Sequence, residues 1–376
     1  MDRAANGHEG NSPRIVRRRV LFAHGFDPRG PGPYHALMAE EARPGVFEVG
    51  PRRGAVWDLA VDWPDGRAES RFEVLRWDDL VRAFWVRGPA ESRLPLRALR
   101  VWGRAGVLAE AARDNRPFCL ALLLPAAAQG LRLTAVLVAT AASVVTLALL
   151  ARILGASPAW GLAGLAALAA GPWLRRAVQR QLDLGWLSQC FDALARFRGL
   201  PADREVKLDA MADRIVAVAE EAGDEEVVVV GHSIGSLMAA AAVSRALKLR
   251  PDLGDRVQLV TLGQCLSIYG RLGGDPGWTR DLARLVASQV RWTDITSPAD
   301  GASSGRWPPL RFSAHAVRTD RVRARSPRFH EALHAERLRQ LRRDPRALHF
   351  QYLRLSDRPE VYDVRRVLAG PPGAFQ

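Results

Sequence analysis

The chain has 376 residues, 48% of them apolar and 25% charged, which suits one large domain or two ordinary ones and argues against global disorder. Its formal charge of +14 rests almost wholly on scattered arginines, since lysine occurs only at 207 and 248, and no nucleic-acid module accompanies them. Nucleic-acid binding is therefore not expected, and attraction to an anionic membrane surface is the better use of the charge.

Residues 1–13 lack the apolar core of a secretory signal and read as a disordered tail. The first part of an α/β domain follows, over 14–116. Arg14–Ala23 reads as a strand whose apolar run, Val20-Leu21-Phe22-Ala23, ends at His24-Gly25 in the manner of a buried parallel strand. A helix is expected from about Tyr34 to Ala42. Three strand-like stretches then form a β-rich insertion: Val46–Val49, Val56–Trp63 and Arg71–Trp77. From Asp78 to Asn115 the pattern is amphipathic and helical.

The composition then changes. No charge occurs from Thr134 to Ala151, and after Arg152 none occurs from Ile153 to Leu174. Each stretch is about long enough to span a bilayer, so 117–175 reads as a membrane hairpin with helices at about 133–151 and 156–174. The competing reading is a helical hairpin buried in a soluble domain. Arg113 and Arg116 precede the hairpin, and Arg175, Arg176 and Arg180 follow it. By the positive-inside rule both flanks are cytoplasmic. Beyond it Val178, Leu182, Trp186, Cys190, Leu194 and Phe197 share one helical face, which fits an interfacial helix or a surface helix covering a sheet.

The second part of the domain spans 176–370, with a short tail at 371–376. An amphipathic helix at Ala202–Ala222 leads into the strand Glu225–Gly231. Strand-like runs recur at Val257–Leu262, Val290–Ile295 and Leu310–Val317. Strands alternating with helices predict a mostly parallel sheet with helices on both faces. Cys119, Cys190 and Cys265 show neither CxxC spacing nor a histidine at metal-ligand spacing, so they read as buried apolar residues in a reducing compartment, and no metal or cofactor is expected.

Chemistry concentrates at Gly231-His232-Ser233-Ile234-Gly235. This G-x-S-x-G run is entered from four valines and left through SLMAAAAVSRAL. That is the strand–turn–helix context of an exposed nucleophilic serine, with small residues two before and two after it. His24-Gly25-Phe26, directly after the first strand, is placed to supply a backbone amide to an oxyanion site. Phe26 and Ile234 are the expected donors.

A serine nucleophile needs a base and an orienting carboxylate, expected in the chain order Ser, acid, His. Asp300, in the loop after a late strand, is the first candidate acid, and Asp294, within the strand, is the second. Four histidines compete as base: His315, His330, His334 and His349. His349, between a charged helix and an apolar segment, ranks first and His330 next. His315 falls within an expected strand. His330 and His334 lie one helical turn apart without a third metal ligand.

These features resemble the α/β-hydrolase superfamily, in its serine esterase and lipase-like branch, and bacterial members that carry a membrane hairpin in particular. Ser297-Pro298-Ala299-Asp300-Gly301 is similar to the acid-bearing loop of lipase-like relatives, and Tyr352, three residues after His349, matches a tyrosine found in some of them. The resemblance covers roughly the first 30 residues after the tail and roughly residues 225–360, and leaves 45–222 unexplained. It implies an α/β-hydrolase fold with an inserted transmembrane hairpin. It also implies an acyl-enzyme mechanism on an ester or thioester. The location of the expected hairpin suggests a lipid or acyl-chain substrate, and the hairpin with its basic flanks is expected to make a multi-pass protein of the bacterial inner membrane with its hydrolase domain on the cytoplasmic side. An acyltransferase or thioesterase with the same triad, and a catalytically silent membrane-tethered interaction protein, are the alternatives.

Overall fold

The computed structural model describes residues 16–154, 184–199, 202–312 and 322–371. Eight strands form one mixed sheet: β1 Val16–Ala23, β2 Glu48–Val49, β3 Val56–Trp63, β4 Gly66–Val74, β5 Glu226–His232, β6 Val257–Leu262, β7 Arg291–Ile295 and β8 Val322–Arg325. Their spatial order is β2-β3-β4-β1-β5-β6-β7-β8. β2 and β3 pair antiparallel at one edge, as do β3 and β4, and all pairs from β4 to β8 are parallel. The expected α/β class with a mostly parallel sheet is therefore present.

The valine run of β5 explains why the sheet is buried on both faces. Val227 and Val229 point into one core, packed by helices of 78–154, 184–221 and 235–287. Val228 and Val230 point into the other, formed with α1 (Gly32–Glu40) and the C-terminal helices. β1 repeats the division, with Leu21 and Ala23 on one face and Val20 and Phe22 on the other. A strand apolar at every position fits only between two covering layers.

Register brings the chemistry to one edge. Ala23 pairs with Gly231, Gly231 with Thr261, and Thr261 with Asp294. The C-terminal ends of four neighbouring parallel strands are thus level, and the loops leaving them meet above the sheet. This is where open α/β sheets place their ligands.

Between β4 and β5 come α2 (Asp78–Phe84), α3 (Leu94–Arg104), α4 (Val107–Asp114), α5 (Arg116–Leu154), α6 (Leu184–Arg196) and α7 (Ala202–Glu221). α5 has 39 residues, a length of roughly 58 Å at about 1.5 Å per residue. Its first turns are held in the domain. Phe118 is fully buried and meets Trp102, Phe191 and Trp307 with ring centroids 6.1, 5.6 and 5.8 Å away. Beyond Gly130 many of its described side chains are apolar and exposed, among them Leu131, Leu137, Val138, Val144, Val145 and Ile153.

Two expectations need correction. Judged over the described residues, no helix is long and apolar enough to cross a membrane. The segment 133–151 is the outer part of a helix that begins at Arg116 inside the domain, because the apolar run 117–129 continues into it without a break. The second expected span, 156–174, lies outside the described residues, so the described residues give the two-span hairpin no support. The strand expected at Leu310–Val317 is also absent as far as the chain is described: 309–312 form turns, and 313–317, His315 included, lie outside the described residues. The place beside β7 is taken by β8. Other boundaries move by a few residues, with β4 starting at Gly66 rather than Arg71, while Val56–Trp63 and Val257–Leu262 fall where the pattern put them.

Candidate active site

Ser233 sits between β5 and the helix α8 (Gly235–Leu249) with φ 59°, in the left-handed region that a side chain rarely adopts. The two flanking glycines make this turn possible. A Cβ on Gly231 would stand 2.6 Å from the Ser236 Cα, and one on Gly235 would stand 2.2 Å from the carbonyl oxygens of Ala23 and His24. The turn is pinned further by Ser233 N donating to the Leu262 carbonyl (3.0 Å) and by the Ser236 hydroxyl donating to the Ser233 carbonyl (2.5 Å).

The His24-Gly25-Phe26 loop lies directly against this serine. The Cβ position of Gly25 is 3.1 Å from the Ser233 Cβ. His24 is fully buried, its ring stacked on Trp77 at 5.4 Å, and the Trp77 indole donates to the His24 carbonyl (2.9 Å). Among the described residues, the amides of Phe26 and Ile234 have no backbone acceptor. An amide without a backbone acceptor is the kind of donor an oxyanion site needs.

Asp300 and His349 form a pair. The imidazole Nδ1 lies 2.8 Å from the Asp300 Oδ2, and both side chains are 1% exposed. His349 reaches this place from a short helix, Pro345–Phe350, capped by the Asp344 carboxylate, which accepts from Ala347 N (2.9 Å). The Tyr352 hydroxyl donates to the same Asp300 oxygen (3.1 Å) and accepts from Ser297 N (2.8 Å), while Ala302 N donates to Oδ1 (3.0 Å). Burial alone would raise the Asp300 carboxyl, but the charge and hydrogen bond of His349, with the Ala302 and Ser303 donors, hold it below the usual carboxylate range. The other imidazole nitrogen, Nε2, is buried without a partner. An imidazole fixed at Nδ1 by a carboxylate and unpartnered at Nε2 can accept a proton from a hydroxyl and return it.

His232, inside the motif, has a structural part that its sequence position does not announce. Its Nε2 donates to the His349 carbonyl (3.0 Å), and the two rings are 4.8 Å apart. Burial and the neighbouring His349 charge push it down to about 3, so it stays neutral while it holds the segment carrying His349.

The second candidates do not join this group. Asp294, on β7, accepts from the hydroxyls of Thr261 (2.7 Å) and Thr296 (3.1 Å), and burial pushes its carboxyl up to about 7. His330 is exposed and pairs with Glu331 at 3.1 Å. His334 is exposed as well. Among the described residues no group of His, Cys, Asp and Glu could hold a metal ion.

Two contributors escaped the sequence reading. Trp186, considered only as part of an amphipathic face, lies with its ring 5.5 Å from His349. The start of α5 closes on the acid loop: a Cβ on Gly301 would stand 2.4 Å from the Pro117 carbonyl, Asn115 Nδ2 donates to the Ser304 carbonyl (2.6 Å), and the Trp307 indole donates to Asp114 (2.8 Å). No local pattern encodes contacts between segments nearly two hundred residues apart. A glycine directly after the acid was the one signal available.

No family model, no curated protein and no solved structure matches this chain.

Proposed function

We propose that the protein is an α/β-hydrolase-type serine hydrolase acting on a carboxylic ester or thioester. The observation that carries this reading is the buried Asp300–His349 pair, with its free Nε2, on the same sheet edge as a serine held at positive φ. Ser233 Oγ attacks the acyl carbonyl and passes its proton to His349 Nε2, forming a tetrahedral oxyanion that the Phe26 and Ile234 amides bind. The bond from the acyl carbon to oxygen or sulfur then breaks, and the leaving group takes the proton from His349. Water attacks the acyl-enzyme, giving its proton to His349. The acid departs, and Ser233 recovers its hydrogen. Asp300 keeps the imidazole in the required tautomer and stabilises its charged form.

The exposed apolar side chains of α5 support placing the protein at a membrane, with the basic flanks toward anionic headgroups. This reading is a tether by α5 and carries no two-span hairpin.

Fluorophosphonate labelling of the full-length protein tests the chemistry. Labelling is expected in the wild type and in His330→Ala, and is expected to be lost in Ser233→Ala and strongly slowed in His349→Ala. A folded wild type that does not label refutes the reading. Flotation with vesicles containing anionic lipid tests the tether, which fails if the protein stays with the soluble fraction.

A further inference from the structure

One cavity, of about 360 Å³, lies beside Phe26 and extends to the lower part of α5. That volume falls within the range of small-molecule sites, about 300–1,000 Å³. Its apolar wall comprises Phe26, Trp85, Leu94, Pro95, Pro125 and Trp186. Phe26 and Trp85 stack at 5.6 Å with their planes 15° apart.

Polar side chains line the cavity too, but they are already engaged. Asp27 holds Arg29 at 2.6 Å. The Gln189 amide donates to the Val86 carbonyl (2.6 Å) and accepts from its N–H (3.2 Å). Gln129 donates to the Ser92 carbonyl, and Glu91 accepts from Gly88 N (3.1 Å). Ser188 and Arg346 have partners as well. A ligand that needed these groups would have to break existing hydrogen bonds, whereas an apolar chain needs only the wall.

Trp186 connects this space to the chemistry. It lines the cavity, and its ring also lies 5.5 Å from the His349 imidazole and 6.4 Å from the Phe350 ring. Ser233 is 4% exposed and His349 is fully buried. Pro125 and Ala128, which also line the cavity, belong to α5, whose exposed apolar side chains include Leu120 and Leu124 and continue outward from Leu131.

We propose that this cavity is the acyl-chain subsite, that Trp186 is a movable partition between the chain and Ser233, and that substrates are medium-chain acyl esters or thioesters drawn from an apolar phase along α5. The proposal rests on the reading of Ser233 as nucleophile. Its test uses full-length protein in nanodiscs and p-nitrophenyl esters of two to twelve carbons. Wild type is expected to favour chains of eight to ten carbons over acetate, and Ala128→Trp to lower the decanoate-to-acetate ratio of kcat/KM at least tenfold. A ratio within twofold of wild type overturns the subsite. Trp186→Ala is expected to speed labelling of Ser233 by a small fluorophosphonate at least fivefold, and an unchanged rate in a variant with native circular dichroism removes the partition. Binding is read separately in Ser233→Ala by fluorescence of dansyl-aminoundecanoic acid. Saturable binding that Ala128→Trp abolishes supports the cavity even if no ester is turned over, a result that would sink the reading of Ser233 alone. Absence of saturable binding sinks the cavity even if acetate is hydrolysed.

Discussion

Asp294 and Asp300 are six residues apart, both within 3% of full burial, and they behave in opposite ways. Asp294 stands inside the sheet with two threonine hydroxyls for company, and burial pushes its carboxyl up to about 7. Asp300 stands in the loop beyond, where His349, Tyr352 and the Ala302 amide converge on it and keep it ionised. Burial is common to both, so it does not decide which carboxyl is charged. The partners do, and the decisive one is a cation-forming imidazole.

Substitution sharpens this contrast. Asp300→Asn removes the charge that orients and stabilises the imidazolium, and is expected to lower kcat roughly 10⁴-fold, the scale of the same change in a serine-protease triad. A loss below tenfold, measured on a good ester substrate, would break the comparison. Tyr352→Phe deletes one hydrogen bond to the carboxylate and leaves Ser297 N without its acceptor. A loss of about 1–2 kcal/mol, or roughly tenfold in kcat, is expected with KM little changed. Asp294→Asn is expected to leave kcat/KM within about threefold.

The signature of Asp294 lies in stability instead. Its folded pKa is raised, so the folded state holds a proton that the unfolded chain releases near the ordinary carboxyl range. The stabilisation from that proton is full below the unfolded value, is lost as pH rises from about 4 towards 7, and is gone above 7. Thermal unfolding at pH 5 and pH 8 should therefore show a smaller drop in Tm for Asp294→Asn than for wild type. An equal drop would mean that the Asp294 carboxyl is ionised throughout.

Much of this was legible because it is local. The elbow at 231–235 and the apolar strands β5 and β6 are written in consecutive residues whose pattern has one physical solution. Asp300 and His349, placed ahead of Asp294 and His330 by the sequence, lie paired in the structure, because a loop after a strand's C-terminal end can turn over the sheet, while a residue within the strand cannot. What stayed illegible depends on distance. Apolar length alone does not tell a helix gripped at one end by Trp102, Phe191 and Trp307 from a free span, so 117–129 read as part of a membrane element although it packs in the domain. Trp186 showed as a member of an amphipathic face, with no sign that the face covers an imidazole.

The missing side chain at Gly301 fixes how this protein can be handled. With no Cβ there, the backbone of α5 at Pro117 rests on the residue next to Asp300. Cutting out the apolar helix to obtain a water-soluble fragment would take away a wall of the acid loop along with the unwanted surface. Solubility is better sought by recoding: replacing Leu131, Leu137, Val138, Val144, Val145 and Ile153 with polar helix formers changes only exposed positions and keeps the turns from Arg116 to Gln129 that the acid loop leans on.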